Sequence, residues 1–335
     1  MKRTLGHSST ESIEEEFFDI NKYKITDLQS LIDMIEDFKY MPLPKRSKRK
    51  NLPVKIYLLP DLLPELKELN ELIGMKTLKS QVLDQILFFI QGVDDNIMLH
   101  TVLEGPPGTG KTTVARIMAN IYSKLGIFKK PKFNIVKRAD LISEYLGGTA
   151  IKTLETLDRC KNGVMLIDEA YSLGSQSGQD DMFSKECLDT LNEYLSENFM
   201  KIICIIAGYK KELNNSFFSA NPGLKRRFPW TFTLDKYNSS ELAKIFIKQV
   251  NEKEWETEME EECISKLIYN HVQLFDGNGG DISTIIDKCI IINVRNNFGK
   301  DNLYNISIED FKEALSIFVN NKKEKQDSPP FNMYT

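Results

Sequence analysis

The chain has 335 residues, 41% of them hydrophobic, and its 44 Lys and Arg against 48 Asp and Glu leave a net charge of −4. This length supports a sizeable core and about two domains, while the acidic balance withholds the basic face that nucleic-acid binding normally needs. No apolar run is long enough to span a bilayer, the start lacks a secretory apolar segment, and five cysteines without C-x-x-C pairs beside three histidines argue against zinc or disulfides, so a cytoplasmic location is expected.

Residues 1–66 read as an N-terminal accessory and linker region: an acidic, polar start, a helical patch at Leu28, Leu31, Ile32, Ile35 and Phe38, then the basic run Lys45–Lys50 among prolines. That run reads first as a solvated linker, with a nuclear-import signal or an anionic-partner contact as alternatives. From Leu69 an amphipathic helix is expected, with Leu78, Val82, Leu83, Ile86, Leu87 and Ile90 on one face. Strands then alternate with helices near 99–104, 133–137, 163–168, 201–207 and 231–234. This predicts an α/β domain over 67–236, a five-stranded parallel sheet with helices on both faces.

After the first strand comes Gly105-Pro106-Pro107-Gly108-Thr109-Gly110-Lys111-Thr112-Thr113, and a helix with Val114, Ile117, Met118 and Ile121 on one face follows at once. The stretch fits G-x-x-x-x-G-K-[ST], the Walker A pattern, in the strand–loop–helix setting the motif requires. Glycines let successive N–H groups curl around phosphate, and the helix N-terminus adds partial positive charge. Lys111 is expected to reach the β- and γ-phosphates of a nucleoside triphosphate, and Thr112 to offer its hydroxyl to Mg²⁺. The third strand, Gly163–Ile167, ends in Asp168-Glu169, a Walker B pair at the carboxyl edge of the sheet. Asp168 is expected to hold Mg²⁺ through water, and Glu169 to polarise the attacking water. Beyond Asp235, helical periodicity in 239–250, 260–274, 281–296 and 308–320 predicts an all-helical lid over 237–322, with a loose tail at 323–335.

With these features in this order, the chain resembles the AAA+ ATPases, and more narrowly the branch that holds the CbbX Rubisco activase and stage V sporulation protein K. The narrower resemblance rests on Gly105–Thr113, Tyr145-Leu146-Gly147-Gly148, Ile167–Tyr171, Ala207-Gly208-Tyr209 and Asn221–Phe228. Leu69–Met75 and the Phe331–Tyr334 tail are also similar to ATPases of large DNA viruses. The resemblance implies a ring, usually a hexamer, with ATP between subunits. It assigns Ile73 and Gly74 to the adenine side and an arginine finger to Arg227, with Arg226 a neighbour able to share that role. It makes Tyr145, Leu146 and Gly147 a central-pore loop that grips a protein partner, and puts a second pore loop at Gly174–Asp181. Two departures stand out. Ala207-Gly208-Tyr209 leaves only Tyr209 to position water after the fourth strand, and Gly280 stands where a lid arginine often touches the γ-phosphate. The function implied is a MgATP-hydrolysing ring that threads or remodels a protein; a nucleic-acid motor or loader is the alternative.

Overall fold

Every residue of β1 (Thr101–Glu104), β3 (Gly163–Ile167) and β4 (Ile202–Gly208) is buried, as central strands of a doubly covered parallel sheet must be. With β2 (Phe133–Val136) and β5 (Trp230–Thr233) they form one parallel sheet in the order β2-β3-β4-β1-β5. The register pairs Leu103 with Ala207 and with Phe232, and Leu166 with Ile205. Loops after β1, β3 and β4 therefore leave the same edge side by side. The structure is a computed structural model that describes residues 18–40, 53, 55–92, 97–128, 132–174, 181–299 and 304–327. The basic run at 45–50, most of the expected second pore loop and the residues after 327 lie outside the described residues.

Side chains alternate between the two faces of the sheet. Leu103, Val164, Leu166, Ile203, Ile205 and Phe232 join a core with α1 (Leu28–Tyr40), α2 (Leu59–Glu71), α3 (Lys76–Gln91) and α4 (Lys111–Lys124). Val102, Met165, Ile167, Cys204 and Ile206 join a core with α5 (Arg138–Leu141), α6 (Thr149–Arg159) and α7 (Met182–Glu197).

The N-terminal helices differ from the sequence expectation of an accessory arm. Leu31, Ile35, Leu62, Leu66 and Leu69 are fully buried in the same core as α4, and Lys124–Glu65 and Arg116–Glu68 pairs, both at 2.6 Å, tie α2 to α4. The expected boundary at 66/67 falls inside α2. Its leucine repeat is obscured in the sequence by Pro60, tolerated at the helix start, and by Pro64, which forfeits one helical hydrogen bond against a buried apolar face. The helix expected from Leu69 is in fact two, broken at Gly74 and Met75, which adopt φ of 69° and 57°.

After the short α8 (Pro222–Lys225), β5 leads into four helices: α9 (Ser239–Glu252), α10 (Glu261–Tyr269), α11 (Gly279–Asn296) and α12 (Ile308–Asp327). Leu242, Phe246, Ile282, Ile286 and Phe311 close a separate core there. The lid is helical as expected, with one addition: β6 (Glu256–Thr257) and β7 (Asn305–Ile306) pair in parallel, a ladder too short to leave a period-two signal in the sequence. Among the described residues, no helix is long and apolar enough to cross a membrane.

Candidate active site

The chain leaving β1 must turn into α4 within a few residues, and its glycines make that possible. Gly108 and Gly110 have φ of 67° and 88°, and a Cβ on Gly108 would overlap the Gly277 carbonyl. Lys111, the first residue of α4, folds back over the loop: its Nζ donates to the carbonyls of Gly105 at 2.9 Å and Pro106 at 2.7 Å. Thr109 Oγ1 donates to Pro106 at 2.8 Å and tightens the same turn. Burial pushes the Lys111 pKa down against the opposing pull of Asp168 and Glu169. A half-buried ammonium short of anionic partners is what a phosphate group would satisfy.

The strand order brings the carboxylates to this loop. Thr112 Oγ1 donates to Asp168 Oδ2 at 3.0 Å, and the Glu169 N–H donates to Asp168 Oδ1 at 3.0 Å. Glu169 sits at φ 52° and is exposed at the mouth of the site, where its carboxylate meets the Tyr171 hydroxyl. Tyr171 and Tyr209 stack with centroids 5.3 Å apart, and the Tyr209 ring lies 5.1 Å from Lys111 Nζ. Burial first, then the Glu169 carboxylate, pushes the Tyr171 hydroxyl up to about 12. A cleft of ≈ 840 Å³ opens among Lys111, Thr112, Asp168, Glu169, Tyr209 and Arg138.

Thr112 and Asp168 are a hard-oxygen pair beside a phosphate loop, the donor chemistry suited to Mg²⁺, which keeps waters and substrate phosphates as its other ligands. Ile73 and Gly74 instead line a neighbouring cleft of ≈ 620 Å³ against the lid, with Met75 reaching back to Gly110. Neither Arg226 nor Arg227 lines the phosphate cleft of its own chain. Arg226 is exposed; Arg227 is half-buried, and its Nε is buried without a partner. Tyr145 and Leu146 are 77% and 82% exposed, and Gly147 follows at φ 76°.

Sequence reasoning passes over Lys137 and Arg138, which line the cleft from the end of β2. Arg138 donates to Asp181 Oδ2 at 2.7 Å, to Ser184 Oγ at 3.0 Å and to the Ser172 carbonyl. The available signal is two basic residues directly after a strand, at the same sheet edge as the phosphate loop.

A phosphate loop, a carboxylate pair two strands along the same sheet edge and a helical lid define a P-loop nucleotide-hydrolysing protein. Residues 101–228 match the family described as "ATPase family associated with various cellular activities (AAA)". The cfxQ-like protein of Acanthamoeba polyphaga mimivirus is 34% identical over 316 residues, which cover 91% of this chain and 75% of that protein. Stage V sporulation protein K of Bacillus subtilis is 35% identical over 237 residues, 67% of this chain and 73% of that protein. The ESX-1 secretion system protein EccA1 of Mycolicibacterium smegmatis is 42% identical over 147 residues, 44% of this chain and 25% of that longer protein. A Thermotoga maritima RuvB variant superposes with a TM-score of 0.51 at 18% identity, covering 74% of this chain and 71% of that one, a likeness of fold alone. The chain belongs to the AAA ATPase family, in the branch that includes stage V sporulation protein K, and is an ATP-binding, ATP-hydrolysing enzyme.

Proposed function

We propose that the protein assembles into a ring, a hexamer by the family pattern, that hydrolyses MgATP at subunit boundaries and pulls a polypeptide partner through its centre. Lys111 and the loop N–H groups bind the phosphates, and Thr112 with Asp168 holds Mg²⁺. The bound ion would screen charge on the β- and γ-phosphates. Glu169 accepts a proton from the water it orients toward the γ-phosphate. An arginine of the adjacent subunit, Arg227 in this reading with exposed Arg226 beside it, stabilises the charge of the transferring group.

The observation that carries the threading reading is the exposure of Tyr145 and Leu146 on a glycine-ended loop. Two large apolar side chains held in solvent offer contact to almost any side chain of an extended polypeptide. The link to hydrolysis runs through Arg138, which opens α5 just before this loop and donates to the carbonyl of Ser172, three residues past Glu169. A shift of the Glu169 segment on phosphate release would then be felt at the loop.

Tyr145→Ala tests this reading. ATP turnover without a partner should stay within a few-fold of wild type, while crosslinking of an unfolded model polypeptide to the ring is lost. Salt-sensitive stimulation of wild-type turnover by single-stranded DNA or RNA would instead favour a nucleic-acid motor, because fold alone does not choose between the two.

A further inference from the structure

The five carbonyls from Gly105 to Thr109 all accept hydrogen bonds, and they divide into two groups. Gly105 and Pro106 are held from within the site by Lys111. Pro107, Gly108 and Thr109 are held from the lid side. Asn278 Nδ2 donates to Pro107 at 3.0 Å, the Gly279 N–H to Gly108 at 3.1 Å, and the Tyr237 hydroxyl to Thr109 at 3.1 Å. Asn278 Oδ1 completes the circuit by accepting the Tyr237 N–H at 3.1 Å, and its Nδ2 also donates to the Asp276 carbonyl at 3.2 Å.

Asn278 is 1% exposed, and its backbone lies at φ 49°, ψ −119°. It is the second residue of a turn closed by the Gly280 N–H on the Gly277 carbonyl at 2.9 Å. Glycine normally occupies that position and conformation, and Gly277, Gly279 and Gly280 surround it. An asparagine is thus held in glycine's conformation, with its amide bridging the lid, the β5–α9 connection and the phosphate loop. Strain of this kind persists where the side chain has work that glycine could not do.

Within each peptide unit the carbonyl and the N–H point in opposite directions, so carbonyls fixed outward leave N–H groups aimed inward at phosphate. The lid arginine expected near 280 is absent, and a Cβ at Gly280 would meet nothing within 4 Å. We infer that Asn278, together with Tyr237, couples the lid to bound nucleotide by clasping the outer carbonyls of the phosphate loop, in place of a lid side chain on the γ-phosphate. Asn278 is a positioning residue, and its role rests on the reading of this loop as the ATP site.

Asn278→Gly suits the backbone and removes only the side-chain bonds; Tyr237→Phe removes one hydroxyl. For Asn278→Gly, ATP and ADP should each bind about 10-fold more weakly, the loss expected for hydrogen bonds that organise an anion site. KM should rise while kcat stays within a few-fold, and nucleotide should no longer slow hydrogen exchange in α11. Tyr237→Phe should move the same quantities in the same direction by about 3-fold, and it decides alone should Asn278→Gly fail to fold. A purely structural Asn278 would lower the melting temperature and leave affinity and nucleotide-dependent exchange unchanged; that result in both variants overturns the clasp. Lys111→Ala separates the two failures. ATP binding by Lys111→Ala at wild-type strength would mean the site itself is wrong, whereas loss of binding there, with both clasp variants like wild type, would remove only the clasp.

Discussion

Lys111 faces the ring of Tyr209 at 5.1 Å while its ammonium donates to two carbonyls of its own loop. Tyr209 directly follows β4 and offers both a π-face and a hydroxyl to the cleft. An ammonium–ring contact of this kind is worth roughly 0.5–2 kcal/mol. Tyr209→Phe keeps the ring and should hold ATP affinity within about 3-fold; Tyr209→Ala should weaken it by about 5-fold. A large fall in kcat for Tyr209→Phe with unchanged affinity would instead assign the hydroxyl to water positioning.

The arginine pair gives a test in trans. Arg227→Ala should bind ATP but turn it over about 10³-fold more slowly if it is the finger; should Arg226→Ala show that loss instead, the exposed neighbour holds the role. Mixing the inactive arginine variant with Lys111→Ala should recover some activity, because some interfaces then pair an intact loop with an intact finger. Mixtures shown to co-assemble yet remaining inactive would count against a site shared between subunits.

Buried His100 sets an acid limit. Its Nδ1 accepts the Cys204 N–H at 3.1 Å, and burial holds its pKa down to about 4, with the Arg227 charge acting in the same direction and a bond to Leu195 opposing them. A folded-state value below the unfolded 6.5 means no cost above pH 6.5 and a growing loss of stability as pH falls from 6.5 through 4. The full loss is about 3 kcal/mol. The stability advantage of wild type over His100→Gln, from urea midpoints, should shrink by about that amount between pH 7 and pH 4. A pH-independent difference would show that His100 is not held neutral.

The parts of the site that read directly from sequence are those whose chemistry is contiguous. Gly105–Thr113 carries its strand, turn and helix cap within one segment, and Asp168-Glu169 ends an apolar run of strand length. All five strands fall within a residue or two of where periodicity puts them, because uninterrupted apolar runs such as Ile202–Ile206 have few other uses. What depends on distant partners is not legible. Nothing local announces that Glu65 will meet Lys124, that Arg138 will bind the Ser172 carbonyl, or that Asn278 will reach Pro107. The apolar patch of α1 is legible, but its packing on the sheet domain and the whole of α2 are missed because Pro60, Pro64 and the basic run dominate the local pattern there.

Lid and loop should also separate in stability. Phe246, Ile286 and Phe311 close the lid core apart from the sheet, so Phe311→Ala should destabilise it by about 3–5 kcal/mol. Hydrogen exchange should then quicken first in α9–α12, ahead of β1, β3 and β4. Equal acceleration in the sheet would mean that the two cores unfold as one unit.

Turnover and nucleotide binding of Glu169→Gln, measured together, test the account most directly. The substitution removes the proton acceptor and leaves Lys111, Thr112 and Asp168 in place. ATP should bind with near wild-type affinity, while hydrolysis falls by about 10²-fold or more. Hydrolysis at the wild-type rate would contradict the assignment of Glu169 as the base, and with it the mechanism built on this site.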